Sequence, residues 1–348
     1  MPCRRRLDPL AWALGLGLAL ALLAGPALGM VEDCRRLTLT DGATGAAIVG
    51  VEDIRISADG SRAYLSAHDR RAEPPTEGAI HPLELGLLAA GPSQLSLPSW
   101  RPEPPTPGGF RPHGIALTDD GELLVINRRV GPDGRIQPTI DRLEIHDDGL
   151  NEIWSRQIPG LCNPNALFAL AGDAFLVSND RGACSPWRLR LETWLGLSTG
   201  SIERVIGGTA EPALSRLNHP NGVVLLDDAL WFAETRKRRV TVFAPFGPEL
   251  ARSYNVGFAP DNLTIDDQGR LWVAGPRRLL GYAAFIHEWP LFGRAGSRVA
   301  FIADGEVTRV LDDDGSLISG ATVAAVGGGL LLIGAAYDDA IAYCRLVD

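Results

Sequence analysis

Polar residues occupy the first position of six similar segments that are spread along the chain. Each segment runs from the polar residue through a short apolar stretch and a tight turn into a second apolar stretch. The polar positions are Glu52, His113, Asn165, Asn221, Asp261 together with Asn262, and Thr322. Carboxylate and amide oxygens are the ligands that hard divalent cations prefer, and Ca2+ accepts more of them in less regular geometry than Mg2+ does. A fold that brings these positions together predicts a calcium site.

The alternative is that each polar group caps the end of a strand or binds water. For a single asparagine that interpretation is the better one. Five oxygen-bearing residues at equivalent positions of a repeat favour a shared site instead. The sequence contains no Cys and His cluster with the spacing of a zinc site, which leaves an all-oxygen site as the metal hypothesis.

The segments themselves have the pattern of paired strands. Asn221–Val224, for example, leads through Asp227 and Asp228 to Leu230–Phe232, which is typical of two strands joined by a tight turn. The six segments recur at intervals of 41 to 61 residues, close to the roughly 40 to 50 residues of a propeller blade with loop insertions. The residues between them alternate like short strands, so the amphipathic helices of parallel α/β units are missing from the pattern.

We therefore predict an all-β fold, a single six-bladed β-propeller over residues 30–348 with a central metal site. A propeller points the ends of its innermost strands at one channel, where residues far apart in sequence meet. The last blade is expected to be completed by the other end of the chain. Composition agrees with a folded domain, because 45% of the 348 residues are hydrophobic. The formal net charge of −9 argues against a nucleic-acid partner and favours small-molecule substrates or cations.

The first 29 residues have the pattern of a secretory signal peptide. Arg4–Arg6 precede an uncharged stretch over 10–24, and Ala27–Gly29 supplies the small residues that a signal peptidase requires. Cleavage is expected near Met30, with retention as a membrane anchor as the alternative. We expect a secreted or periplasmic protein.

Cysteine content agrees with export. Four cysteines follow the signal segment, Cys34, Cys162, Cys184 and Cys344, and they allow three pairings in an oxidising compartment. A Cys34–Cys344 bridge would join the two ends of the mature chain. Cys162 and Cys184 flank one short strand and either pair with each other or remain buried thiols.

Six segments together resemble the paraoxonase/arylesterase family of calcium-dependent propeller hydrolases. They are Gly50–Ile56, Phe110–Ile115, Asn163–Asn165, Pro220–Gly222, Asp261–Thr264 and Gly320–Cys344. The Glu/Asn/Asn/Asp pattern is shared with gluconolactonase-like and phosphotriesterase propellers, so it specifies the metal better than the substrate. The resemblance implies a catalytic calcium bound by Glu52, Asn165, Asn221, Asp261 and Asn262. It also implies a second, structural calcium on Asp53 and the carbonyl of Ile115, and a Cys34–Cys344 disulfide.

Three departures from the family pattern affect these expectations. Ala166 follows Asn165 where the family has a carboxylate, which weakens the case for the second calcium. Arg128 follows Asn127 where the family has a second histidine, and a permanently charged Arg cannot accept a proton. A further pocket histidine of the family aligns near Pro276, which leaves His219 as the only obvious substitute.

The predicted activity is calcium-dependent hydrolysis of lactones and aryl esters. A divalent cation on the substrate carbonyl stabilises the charge that develops during attack. His113 is predicted as the general base that activates water, with His219 as the less favoured alternative and Asp53 as a second-ion ligand. Two other functions remain open: a sugar-acid lactonase or phosphotriesterase of the same superfamily, and a non-catalytic propeller that calcium stabilises.

One further segment departs from the strand pattern. Residues 187–195 carry Trp187, Leu191, Trp194 and Leu195 at helical spacing. We predict a short helix here that packs on the propeller. The alternative is a lid or a surface that contacts membranes or lipids.

Overall fold

The computed structural model describes residues 30–243 and 250–347, and the signal peptide predicted over 1–29 lies outside this range. These residues form an all-β fold with two short α-helices. The strands nearest the amino terminus are β1 (Val31–Asp41), β2 (Ala47–Ile48), β3 (Val51–Ile56), β4 (Arg62–Ala67), β5 (Ala79–Glu84), β6 (Gln94–Leu97) and β7 (Pro102–Glu103). Two 3-10 turns cover 85–90 and 235–237.

Four regular antiparallel sheets follow, each built from consecutive strands of the chain. The first contains β8 (Pro112–Leu117), β9 (Leu123–Asn127), β10 (Thr139–Ile145) and β11 (Leu150–Arg156), to which β7 adds in parallel. The second contains β12 (Pro164–Ala169), β13 (Phe175–Asn179), β14 (Gly200–Ile206) and β15 (Thr209–Leu217). The third contains β16 (Pro220–Leu226), β17 (Ala229–Glu234), β18 (Arg239–Phe243) and β19 (Leu250–Asn255), and the fourth contains β20 (Leu263–Ile265), β21 (Leu271–Pro276), β22 (Ser297–Ala303) and β23 (Glu306–Asp313).

The remaining strands are β24 (Ala321–Gly327), β25 (Leu330–Ala335) and β26 (Ala340–Leu346), and β1 pairs with β26 in antiparallel register. The two ends of the described chain therefore complete one sheet together, as the sequence predicts. A single residue pair, Ala335 with Val51, connects that sheet to β3–β5. The arrangement is propeller-like, with each sheet formed around its own hairpin repeat.

Every predicted repeat segment begins one of six strands that we call the inner strands: β3, β8, β12, β16, β20 and β24. Each inner strand contacts the next in chain order, and β24 returns to contact β3. Glycine permits two of these contacts, because a Cβ on Gly114 would lie 2.3 Å from the Asn165 carbonyl oxygen and one on Gly222 would lie 2.4 Å from the Leu263 nitrogen. The His113-Gly114 and Asn221-Gly222 pairs thus combine a functional side chain with the residue that lets neighbouring strands approach.

Apolar side chains fill the spaces between sheets. Trp272 is fully buried, and its ring centroid lies 5.2 Å from that of Phe301 within the fourth sheet. A cavity of about 300 Å3 lies at the far end of the inner strands, lined mostly by apolar residues and by Arg55. The core is therefore divided among the sheets and leaves an axial space between the inner strands.

Both cysteine pairs form disulfides. Cys34 and Cys344 are joined across 310 residues of chain, and Cys162 and Cys184 across 22. The first pairing confirms the one that the family resemblance implies. The second decides between the two alternatives that the sequence leaves open.

The helix predicted over 187–195 is present as α1 (Pro186–Leu195), between β13 and β14, and α2 (Leu279–Ile286) lies between β21 and β22. No side chain of α1 is buried, and Trp194 is 82% exposed. The helix therefore packs on the sheets less closely than predicted. Among the described residues no helix is both long and apolar enough to cross a membrane.

Candidate metal centre

Four of the candidate site residues lie where the pairing between an inner strand and its neighbour is interrupted. The register between an inner strand and its neighbour shifts between Val51 and Asp53, between Pro112 and Ile115, between Pro164 and Leu167, and between Pro220 and Val223. Glu52, His113, Asn165 and Asn221 lie at these shifts. A β-bulge bends its strand and redirects a side chain, which accounts for four separate sheets placing a polar group at the same end. Asp261 and Asn262 directly precede β20 and need no bulge.

The buried oxygens of these residues test whether a cation fits. Four of them have no hydrogen-bond partner within the described chain: Glu52 Oε2, Asn165 Oδ1, Asn221 Oδ1 and Asn262 Oδ1. A buried oxygen without a partner costs about 1–3 kcal/mol. Four further unpartnered buried oxygens of the described chain lie elsewhere, on Thr106, Thr139, Ser185 and Asn218, so the argument for a cation is that the first four share equivalent positions at the starts of the inner strands. All four belong to residues that the sequence assigns to the calcium site.

Neighbouring donors orient the amides at this site. Asn262 Nδ2 donates to the Glu52 carbonyl oxygen at 3.1 Å and to Glu52 Oε1 at 3.0 Å, so Asn262 Oδ1 and Glu52 Oε2 remain without partners. Thr322 Oγ1 also donates to the Glu52 carbonyl at 2.8 Å. Asn221 bonds to the Asp261 carboxyl group in the same way. The amides of Asn262 and Asn221 therefore bond to carboxylate ligands, and their oxygens remain available.

The two carboxyl groups at the site lack sufficient positive charge. Burial and the charge of Asp53 raise the pKa of Glu52 to about 7. Burial and the charge of Glu52 raise the pKa of Asp261 well above its usual range. A divalent cation bound here would compensate both carboxylates at once. In the part of the chain that the structure describes, no three His, Cys, Asp or Glu side chains come close enough to hold a metal, so the site depends on amide oxygens as well.

His113 contacts the proposed ligands but is not free on both ring nitrogens. Its Nδ1 lies 3.5 Å from Glu52 Oε2 and 3.0 Å from Arg70 Nη2. A guanidinium only donates, so Nδ1 accepts and the neutral ring carries its proton on Nε2. Burial and the charges of Arg128 and Arg70 hold the pKa of His113 well below its usual range, which keeps the ring neutral. Nε2 is buried and has no partner among the described residues.

His219, the alternative base, lies in a different environment. Its backbone is left-handed, with φ of 55°, and its Nε2 is 3.9 Å from Asp180 Oδ2. Burial lowers the pKa of His219, and the charge of Asp180 opposes that effect. Arg128, which replaces the family's second histidine, donates to the Pro164 carbonyl at 3.4 Å and has no acidic partner within 4.0 Å among the described residues.

Two residues at the site were missed by the sequence analysis. Arg70 follows β4 and donates from Nη1 to the carbonyls of Gly50 and His68, both at 3.0 Å, in addition to its bond with His113. Tyr282 on α2 is half-buried, and desolvation together with the charge of Asp261 raises the pKa of its hydroxyl well above its usual range. Both residues lie outside the repeated segments, which are the only signal that could have identified them.

Asp53 and Ile115, the residues assigned to a second calcium, are contacted by an arginine. Arg55 Nη2 donates to Asp53 Oδ2 at 3.1 Å, and Arg55 Nε donates to the Ile115 carbonyl oxygen at 2.8 Å. The remaining Arg55 donor, Nη1, bonds to the Leu263 carbonyl at 3.1 Å. The neighbouring residue Ala166 is buried and supplies no oxygen from its side chain. These atoms therefore do not fit a second cation.

Comparison with known proteins places this geometry in context. A family model described as Arylesterase matches residues 107–346. The serum paraoxonase/arylesterase 1 of Homo sapiens is 25% identical over 247 residues, covering 68% of this chain and 68% of that protein. The protein of the same name from Mus musculus is 26% identical over 250 residues, with the same coverage of both chains.

Solved structures show a similar fold at lower identity. A structure titled as a putative gluconolactonase has a TM-score of 0.56 and 15% identity, and the match covers 92% of this chain and 94% of that one. The gluconolactonase XC5397 from Xanthomonas campestris has a TM-score of 0.53 and 14% identity, with coverage of 93% and 99%. At these identities the similarity supports the propeller-like fold alone.

Proposed function

We propose that this chain, which belongs to the arylesterase family, is a calcium-dependent hydrolase of lactones and aryl esters. Family membership supports hydrolysis of an ester or lactone bond. The observation that carries the calcium part is the set of four buried, unpartnered oxygens on Glu52, Asn165, Asn221 and Asn262. Oxygen-only donors with amides and two carboxylates match the preferences of Ca2+.

The fold part of the proposal is a closed six-bladed propeller with this site at one end of its axis. The cyclic order of contacts among the six inner strands supports closure, and so does the pairing of β1 with β26. The two disulfides support folding in an oxidising compartment, and we propose that the protein is secreted or periplasmic. The signal peptide predicted over 1–29 is consistent with that location.

Five side chains hold the ion: Glu52, Asn165, Asn221, Asp261 and Asn262. When bound, Ca2+ supplies Lewis-acid polarisation of the substrate carbonyl. The chain's own residues determine the shape and charge of the surroundings. Asn262 and Thr322 hold the Glu52 backbone, and Asn221 holds the Asp261 carboxyl group, so the ligands are positioned before substrate arrives.

His113 holds a proton at Nε2 in the resting enzyme. That N–H can donate a hydrogen bond to an oxygen of the substrate and so favour charge that develops there. The base role predicted for His113 requires Nε2 without its proton, and the bond from Arg70 to Nδ1 opposes that state. We therefore assign His113 as a donor, and Arg70 as the residue that selects its tautomer.

A sugar-acid lactonase is the second candidate, because the Glu/Asn/Asn/Asp pattern of the proposed ligands is shared with gluconolactonase-like propellers. The proposal is tested with γ- and δ-lactones, a sugar-acid lactone, phenyl acetate and a phosphotriester, each assayed with Ca2+ and after chelation. Lactones and phenyl acetate are expected to turn over only with Ca2+. Preferred turnover of the sugar-acid lactone or the phosphotriester would select the alternative activity.

Two variants connect the assay to the site. Glu52→Gln removes one carboxylate of the proposed centre and is expected to lower turnover at least a hundredfold. Glu84→Gln alters an exposed residue on β5 and is the matched control, with activity unchanged. Full activity after chelation, or in Glu52→Gln, refutes the mechanism. Absence of turnover on every substrate, together with a calcium-dependent rise in melting temperature, indicates a binding scaffold.

A further inference from the structure

Arg55 occupies the position that the family resemblance assigns to a structural calcium. Its three guanidinium nitrogens each bond to a different oxygen: Asp53 Oδ2, the Ile115 carbonyl and the Leu263 carbonyl. These acceptors lie on or beside three inner strands, β3, β8 and β20. They are a carboxylate and main-chain carbonyls, the same kinds of oxygen that calcium binds in proteins.

Donors of the chain already use three of the roughly four acceptor positions of the Asp53 carboxylate. Its Oδ1 accepts from the Ile54 backbone nitrogen at 2.9 Å. Its Oδ2 accepts from both the Ile115 nitrogen at 2.8 Å and Arg55. Asp53 is fully buried. Every donor around the carboxylate belongs to the chain itself.

Charge leads to the same result. One buried carboxylate beside one guanidinium is neutral, and the side chain of Arg55 is only 14% exposed. Arg remains charged at every accessible pH, so its positive charge cannot be removed by deprotonation when a cation approaches. A divalent ion placed here would face that fixed positive charge with a single carboxylate for compensation. Ala166, the other position from which a carboxylate could come, provides none.

We propose that Arg55 replaces the structural cation in this chain, and that the protein binds one divalent ion where the resemblance implies two. Arg55 joins β3 to β8 and β20 through its three bonds and supplies the positive charge that balances Asp53. It also lines the cavity of about 300 Å3 at the far end of the inner strands. The count of one ion rests on the proposed function, whereas the role of Arg55 at Asp53 does not.

Ion stoichiometry tests the count. The full disulfide-bonded protein is stripped with a chelator, dialysed against Ca2+ and assayed for bound metal, with Tb3+ luminescence as a second probe. We expect one equivalent in the wild type, one in Asp53→Asn and none in Glu52→Gln. Two equivalents in the wild type, with one lost in Asp53→Asn, overturn the proposal. No bound metal in any of the three proteins refutes the proposed function instead.

Replacing the guanidinium tests the role of Arg55 independently of activity. In Arg55→Met the Asp53 carboxylate loses its cation, and we expect a lower melting temperature that added Ca2+ raises by several degrees more than in the wild type. The double variant Asp53→Asn with Arg55→Met removes both charges and is expected to lose this extra calcium response. Arg62→Met, which removes an exposed arginine paired with Glu84, is the matched control.

The outcomes separate the two parts of the argument. Wild-type stability and calcium response in Arg55→Met contradict the role of Arg55, even if the enzyme is active. If Arg55→Met does not fold, the proposal is still tested by the charge-neutral double variant and by the number of ions bound to the wild type. A double variant that folds and gains a second equivalent of Ca2+ also overturns the proposal, because the site would then exist without its carboxylate.

Discussion

The Cys34–Cys344 disulfide is expected to be the largest single covalent contribution to the stability of this chain. It links β1 to β26, the two strands that complete one sheet from opposite ends of the chain. The perturbation is a double replacement, Cys34→Ser with Cys344→Ser. The Cys162→Ser with Cys184→Ser variant is the matched comparison, because it removes a disulfide within one region of the fold.

The magnitudes follow from loop closure in the unfolded chain. The terminal bridge spans 310 residues, and the chain-entropy model gives about 6 kcal/mol of stabilisation for a loop of that size at 25 °C. The other bridge spans 22 residues, for which the same relation gives about 3 kcal/mol. The difference between the variants depends only on the ratio of the two loop lengths, 310 to 22, and before rounding is about 2.4 kcal/mol. It is the quantity to measure, since errors common to both variants cancel.

Equilibrium unfolding in urea measures the free energy of each variant. Calcium is held at one saturating concentration, because an ion that binds only the folded state adds to apparent stability. Tryptophan fluorescence and far-UV circular dichroism must report the same transition for the free energies to be defined. Equal losses in the two variants, or a larger loss without the Cys162–Cys184 bridge, contradict the loop-closure argument and the importance assigned to joining the chain ends.

Three further predictions concern single side chains. If His113 acts as a donor through Nε2, His113→Gln keeps a donor near that position and retains most of kcat, whereas His113→Phe loses it; equal loss in both refutes the donor role. Burial lowers the pKa of His81 to about 4 from 6.5, so the unfolded chain binds the extra proton and stability falls by about 3 kcal/mol between pH 6.5 and 4. Calorimetric melting of wild type and His81→Asn checks this, since the variant is expected to show a flatter decline. Gly222→Ala places a Cβ 2.4 Å from the Leu263 nitrogen and is expected to cost about 1–3 kcal/mol, whereas Gly149→Ala meets nothing within 4 Å and is expected to leave the urea midpoint unchanged.

The repeated segments made the architecture predictable from the sequence. Six polar positions at similar intervals correspond to the starts of six inner strands, and the two chain ends pair as predicted. The repeats allow the fold to be predicted because each hairpin has the same alternation of polar and apolar residues and the same kinds of turn residues. Four of the five proposed ligands are among the residues whose buried oxygens lack partners, although nothing in the sequence specifies that the Asn262 amide nitrogen bonds to Glu52.

The roles of the arginines could not be predicted in the same way. Arg55 lies inside the predicted segment 51–56, where the alternation of a strand does not indicate that a long side chain reaches across the axis to Leu263. Arg70 lies in a connection with no repeat, and only the fold brings it to His113. A histidine beside a metal ligand suggests a base by type, but its tautomer depends on a donor that is distant in the sequence.

The two adjacent carboxylates on β3 have different bonding partners. This difference is why we assign a structural role to one and a catalytic role to the other. Asp53 is compensated permanently by Arg55 and by backbone donors on two strands. The Glu52 carboxylate accepts one hydrogen bond, from the Asn262 amide to Oε1, and its Oε2 has no hydrogen-bond partner in the described chain. The Arg55 guanidinium links strands, since each of its three nitrogens bonds to an oxygen of the chain. A divalent ion bound at Glu52, as proposed, would polarise a substrate carbonyl, so the unpartnered side of Glu52 is the side on which we propose that hydrolysis is supported.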